Sequence, residues 1–580
     1  SSDLTNGVLS GQRLDLTANS LTNKNGKIQQ TGATQSLNLN AGGINNTNGG
    51  VIGYAPAETP TGGTGGSTTG GTGAANGTDD TPSTATGGGT STVTLAPVLP
   101  SLANGAINVS GAIDNDAGQI TANGGMDLST SNGLTNGGTL NLNKLNVTGA
   151  AFDNTKGTVT TTQLDVNTNT ITNINGKLGS SGKVTLTAQT LTNTKGQITS
   201  DDTTIANITG TVLNDDGTIA ATNNVTLNAG SINNTRGVIA SNKAAATVTS
   251  LGEINNTAGK IQAKTALNLT SAALDNSDGM ISGAATNIDT NGNALTNDRG
   301  SIMGDDLTIN SGAIANDAGL IQGTNTTTIN THGQTLTNTN SGTKGILSGG
   351  TLNLQTGNVT NTAGVISSNG AAQISAADVS NTDGTIHSDA QLDLTANSLS
   401  NTNGKVTAGA ALNANIAQSV TSSGTIASDD ALTLNAGSLD NSGTIGSNKA
   451  ATAVKATGAV KNSGIIQAAT QLDLTSTSLD NTDGKVNAVG ATTVNTGTGA
   501  LNNTRGTVSG TDTKITSGAT VNDAGLIQGT DSLNINTSGQ TLTNTNTNVA
   551  GKGIVSGGKL DIASGNLDNT SGKISSTGDN

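Results

Sequence analysis

A chain of 580 residues exceeds what one compact hydrophobic core holds, since such cores stop growing at roughly 250–300 residues. Hydrophobic residues make up 32%, with one Phe, one Tyr and no Trp, so any core is built from Leu, Ile, Val and Ala. The formal net charge of −14 with 11% charged residues describes a polar, mildly acidic surface, which disfavours nucleic acid and anionic lipid.

Reading from the amino terminus, the phrase RLDLTANSLTNKNGKI at 13–28 returns as QLDLTANSLSNTNGKV at 391–406 and QLDLTSTSLDNTDGKV at 471–486. Leu392, Leu412, Leu432 and Leu472 are separated by 20, 20 and 40 residues. A fixed period of this size marks a solenoid, whose repeats bury their apolar faces only by stacking on one another. Residues 1–54 are therefore expected to form the first coils.

The segment 55–100 breaks the pattern. All five prolines lie between Tyr54 and Ser101, beside TGGTGGSTTGGTGAANGT at 61–78, which predicts a Gly/Thr/Pro-rich extruded loop. Within it STVTL at 91–95 alternates as a strand would. From 101 to 580 the repeats run on continuously.

Residues 392–412 serve as the type coil. Leu392 and Leu394 share one face of a strand, with Asp393 turned outward. After a polar corner at 395–397, Leu399 and Asn401 make a second short strand, both on the inner side. The corner 402–404 follows, and Val406 opens a third strand. Asn at the first and Gly at the fourth position of a corner suits a type I turn. Spacings of 2, 5, 2 and 5 exclude an α-helix, and unequal sides exclude the hexapeptide left-handed form. The fold predicted is all-β: a right-handed parallel β-helix, a three-sided solenoid of about 20 residues per coil. Two dozen coils would make a rod on the order of 120 Å long.

Asparagines three residues before a glycine recur at Asn154, Asn193, Asn234, Asn256, Asn276, Asn297, Asn316, Asn361, Asn381, Asn401, Asn481 and Asn503, with Gly404 and Gly484 closing two of the corners. A ligand-binding stripe is one reading. An amide ladder, each side chain bonded to its equivalent in the next coil, explains residue type and spacing together and is preferred. A longer period also exists: NDAGLIQGT at 316–324 and 522–530 is offset by 206, about ten coils. The later length difference between the copies, SGTKG against TNVAGKG, is expected to fall in a corner.

Catalytic constellations are not visible. His332 and His387 fall at different points of their coils, without a Ser or Cys partner in the sequence pattern. The acidic doublets Asp201/Asp202, Asp215/Asp216, Asp305/Asp306 and Asp429/Asp430 sit beside strand starts and turns, and the calcium-roll nonapeptide is absent. No catalytic residue, metal ligand or cofactor is expected. No apolar run reaches the length of a membrane span, so no membrane insertion is expected. There is no cysteine, which suits a chain exported through a narrow pore.

The pattern LxLxxxxLxNxxGxI over 1–52 and 101–580 resembles the haemagglutinin repeats of filamentous haemagglutinin-type exoproteins. These are the large adhesins, and the stalks of contact-dependent growth-inhibition effectors, that two-partner secretion exports in Gram-negative bacteria. The resemblance implies a secreted, cell-surface filament passed unfolded through an outer-membrane transporter. It implies work in adhesion, through a receptor or glycan on target cells, or as the stalk that presents a receptor-binding tip or toxin. An inert spacer is the alternative, and a β-helical polysaccharide-processing enzyme a distant one. Modules for secretion, tip or toxin are not found, so the chain is read as part of something longer and no functional residue is carried over.

Overall fold

Alternation within each phrase dictates what folds. A leucine at every second position of LDL puts two aliphatic side chains on one face of a short strand, and the polar residues between them face water. The computed structural model describes residues 1–32, 36–54, 105–121 and 126–578; the expected loop at 55–100, with STVTL at 91–95, lies outside the described residues. Among the described residues the chain is all-β without a helix, and its strands stack in parallel as a β-solenoid of about 20 residues per turn. It forms two compact units, Ser1–Ile205 and Ala206–Asn580.

In the first unit a coil is made of Leu14–Ala18, Leu21–Thr22 and Lys27–Gln30, and the next of Leu37–Ala41, Ile44–Asn45 and Val51–Tyr54. Each strand pairs in parallel with its equivalent one coil on: Leu14 with Leu37, Leu21 with Ile44, Ile28 with Ile52. The three sides thus carry three ladders of backbone hydrogen bonds. Phe152, fully buried, takes a second-strand core position between Leu134 and Ile171.

In the second unit the type coil runs through its first corner as one strand, Leu392–Asn401, followed by Lys405–Ala408. Leu392 faces Leu412, Leu394 faces Ala414, Leu399 faces Val420 and Val406 faces Ile426. All four side chains of this coil are buried. Fully burying an aliphatic side chain is worth about 1.5–3 kcal/mol, so these four carry the core of the type coil; elsewhere a buried threonine such as Thr492 or Thr513 takes one of the positions. Length changes fall in the corners: the pairing shifts by one residue between Ala396 and Ser398, and register is regained within the next strand.

Candidate functional site

The most regular polar side chain points inward. Asn154, Asn193, Asn234, Asn256, Asn276, Asn401 and Asn481 are all fully buried at the corner after the second strand. The alternation that turns Leu399 inward turns Asn401 inward two residues later. Asn154 Nδ2 donates to Asn173 Oδ1 at 2.7 Å and Asn173 donates to Asn193 at 2.7 Å. Asn234 donates to Asn256, Asn256 to Asn276 and Asn276 to Asn297, each at 2.7 Å. Asn381 reaches Asn401 and Asn481 reaches Asn503 at 2.8 Å. Each amide also spans two backbones: Asn154 Nδ2 bonds the carbonyl of Gly157 in its own corner and of Lys177 in the next coil. A buried amide leaves about 1–3 kcal/mol unmet for each polar atom without a partner, and this column meets nearly all of them.

The glycines serve the same column by steric fit. A Cβ on Gly404 would overlap the Asn381 amide and carbonyl, and one on Gly484 would overlap the Asn462 carbonyl. Neither glycine has a positive φ, so close approach rather than backbone freedom selects it.

The type I turn expected at this corner is not what forms. The third corner residue is left-handed, with φ of 53° at Asn403, 61° at Lys156, 54° at Arg236 and 61° at Asp483. A type I turn needs about −90° there, whereas a positive value marks type II. The neighbouring coil explains the choice. In type II the central peptide flips, and its N–H points along the stacking direction: Lys156 N–H bonds Ile174 O at 2.9 Å and Arg236 N–H bonds Thr257 O at 3.0 Å.

Sequence spacing missed several members of the column. Asn338, Asn441, Asn462 and Asn544 are equally buried, in corners of other lengths. The signal that finds them is the aliphatic residue two positions earlier: Leu336, Leu439, Val460 and Leu542. Two hydroxyl columns also went unread. At the third corner Ser388 Oγ donates to the carbonyls of Gly370 and Gln391, and Ser200 Oγ to that of Gly182. At the first corner Thr331 Oγ1 donates to Gln334 O, and Thr537 Oγ1 to Gln540 O. Buried side-chain atoms without a partner among the described residues are Asn23 Oδ1, Asp215 Oδ1, Ser271 Oγ and Thr356 Oγ1.

Ion pairs lie outside, and most of them join consecutive coils. Arg299 is bidentate to Asp278 at 2.8 and 2.7 Å, and Arg505 to Asp483 at 2.7 Å twice. These guanidinium bonds hold both carboxyls below the ordinary aspartate range. Asp215 is pushed up, chiefly by burial. Asp305 accepts from Thr324, Asp306 from Thr326, and Asp429 from Asn448 and Lys449. His332 sits in a first corner with its Nδ1 on Ser311 O at 3.1 Å. His387 lies on the third strand, with Nδ1 2.8 Å from Thr407 Oγ1 and Nε2 2.8 Å from Asp389 Oδ1. The two histidines are not brought together with each other. Among the described residues no three His, Asp or Glu side chains converge as a metal site requires.

The haemagglutinin-repeat model matches residues 143–214, 202–258, 244–299, 335–415, 390–464 and 542–580, together more than half of the chain. The chain belongs to the haemagglutinin-repeat family. No curated protein and no solved structure matches it. Haemagglutinin repeats are typical of secreted surface adhesins and are associated with two-partner secretion. A haemagglutinin-repeat solenoid fits an adhesin shaft and suggests a structural rather than an enzymatic protein.

Proposed function

We propose that this chain is the shaft of a secreted Gram-negative surface exoprotein and acts in adhesion or in presenting a receptor-binding tip or toxin. One observation carries the reading. The residues that repeat, the aliphatic stack and the asparagine column, are buried and bonded to each other, so repetition maintains a scaffold and variation is left to the outside. The asparagines and glycines of the corners are structural in this reading, not a ligand stripe. The partner during export is an outer-membrane two-partner-secretion transporter. Within each unit every strand pairs with the coil before or after it, so the chain can fold coil by coil as it emerges, without waiting for distant segments. The surface partner is a receptor or glycan on target cells, held weakly at many places.

A spacer without a ligand of its own is the second reading. Outward amides in the second unit favour it, because they bond one another: Asn228 to Asn207, Asn287 to Asn268 and Asn435 to Asn415, at 2.7–2.9 Å. The deciding experiment is binding of the purified chain to bacterial and epithelial cells and to a glycan panel. Saturable binding is expected; its absence on every surface leaves the spacer.

A further inference from the structure

In many coils of the unit Ala206–Asn580 the third strand turns polar or small residues outward, such as Thr425 and Ala427, or Lys485 and Asn487. Five consecutive coils depart from this. Their third strands run in register through Met280, Ser301, Leu320 and Gly345, with Val365 next in the row. Two residues along, a parallel row holds Ser282, Met303, Gln322, Leu347 and Ser367. The isoleucines between the rows, from Ile281 to Ile366, are fully buried, so both rows face outward. Met280, Met303, Leu320, Leu347 and Val365 thus place five half-buried aliphatic side chains on one outer face, alternating between the rows from coil to coil.

The pattern reads the same in both directions along the stack. The first row is aliphatic, small, aliphatic, small, aliphatic; the second is small, aliphatic, polar, aliphatic, small; both are centred on the coil of Leu320. A two-fold axis along that strand lays a second copy on the face with its coils in reverse order, so that each row meets its own copy. Met280 then meets the partner's Val365, Met303 the partner's Leu347, and Leu320 the partner's Leu320. Charge selects this register. Lys264 stands at the third corner one coil before Met280, and Asp389 at the same corner one coil after Val365. Both are exposed, and Asp389 accepts from His387 through Oδ1 only. The axis brings Lys264 onto the partner's Asp389. Sliding one copy by a coil in either direction sets Lys260 on the partner's Lys405 or on the partner's Val365, a like-charge contact or a buried ammonium.

From Val238 to Lys405 the face spans nine coils of four-residue strand. That footprint of roughly 43 by 13 Å covers about 1,100 Å² over two copies, slightly more than the ~1,000 Å² a specific interface needs. The longer internal repeat supplies a contrast. Its later copy keeps Leu526 and Val555 but carries Lys485, Ser509 and Lys573 where this face has Met280, Met303 and Val365. There the same two-fold would set Lys485 on the partner's Lys573. Self-complementarity therefore belongs to the face around Leu320 and is not a by-product of repetition.

We propose that two copies of this chain pair side by side and antiparallel through the third-strand face centred on Leu320. Met280, Met303, Leu320, Leu347 and Val365 form the buried centre, and Lys264 with the partner's Asp389 closes each end. The pairing is independent of whether the chain binds a surface ligand.

Sedimentation equilibrium of the 580-residue protein tests it, and a monomer–dimer equilibrium in the micromolar range is expected for an interface of this size. Leu320→Lys sets two ammonium groups against each other at the axis and should weaken the dimer at least about a hundredfold. The coil accommodates lysine there, since Lys405 and Lys485 hold the same strand position in other coils. Leu526→Lys, the equivalent change in the later repeat, should leave the dimer as it is, and matching thermal unfolding of both variants keeps folding out of the comparison. Lys264→Asp should also weaken the dimer, and combining it with Asp389→Lys should restore it. A chain that stays monomeric into the high micromolar range overturns the proposal, as does a dimer that Leu320→Lys leaves intact. Failure of the double charge swap to restore pairing overturns the antiparallel register and the proposal with it.

Discussion

At 276–279, 297–300 and 481–484 the corner after the second strand takes four residues; at 441–443 and 462–464 it takes three. The inward side is the same in both. Asn441 Nδ2 donates to Asn462 Oδ1 at 2.8 Å and to Ile465 O at 3.2 Å, as Asn276 donates to Asn297 and Ser301. The outward side differs. Four-residue corners carry a left-handed residue and, at several coils, an arginine–aspartate pair; in the three-residue corners neither Ser442 nor Ser463 has a positive φ. The coil must keep the amide column, and the tip is free to change length, charge and backbone hand.

The largest effect expected is on that shared column. Asn256→Ala in a four-residue corner and Asn462→Ala in a three-residue corner each strand a donor and an acceptor of their neighbours and leave a void. Both should cost about 2–4 kcal/mol locally, read as lost hydrogen-exchange protection in the coils on either side. Protection lost in only one of them would break the equivalence. Asn401→Ala should cost less, because its forward side-chain partner is the Ser422 hydroxyl at 3.3 Å rather than an amide, although it also donates to Thr425 O at 3.1 Å.

A smaller effect separates the tips. Ala318 sits at φ 52°, so Ala318→Gly should relieve strain and stabilise its corner by about 0.5–1 kcal/mol. Ser442→Gly gains nothing of the kind and should destabilise by up to about 1 kcal/mol through backbone entropy. Thermal unfolding with local exchange on the two variants distinguishes them; the same sign for both would remove backbone hand as the difference.

The smallest effect is electrostatic. Asp278 and Asp483 have folded-state values below the ordinary 3.8, so their contribution is present above that value and fades as pH falls through the lowered ones. Exchange protection at 276–279 and 481–484 should therefore decline in acid, while the three-residue corner 441–443, with no carboxylate at its tip, should not follow. Asp215 has the opposite sign: burial raises it, protonation favours the fold, and its corner should gain protection as pH drops through the raised value. A uniform acid response at all corners would make net charge, not the tip pairs, the cause.

Much of this was legible in the residues. The strands around Leu392, Leu399 and Val406, their inward faces and the buried position of Asn401 follow from local alternation. The hydroxyl columns were not legible, because serine and threonine are as common on the outside of this chain as at Ser388 or Thr331, and frequency alone carries no direction. Asn441 and Asn544 escaped a fixed Asn-to-Gly spacing because corner length varies while the column does not.

The sequence by itself determined the coil: its period, its three strands and the side chains that face inward, since these depend on neighbours two to five residues apart. The tertiary structure alone decided the hand of the corner and which amides close on one another. A type II corner is selected by a carbonyl one coil away, and outward pairs such as Asn415 with Asn435 depend on how successive coils sit. Those partners lie about twenty or more residues along the chain, beyond the reach of any local pattern.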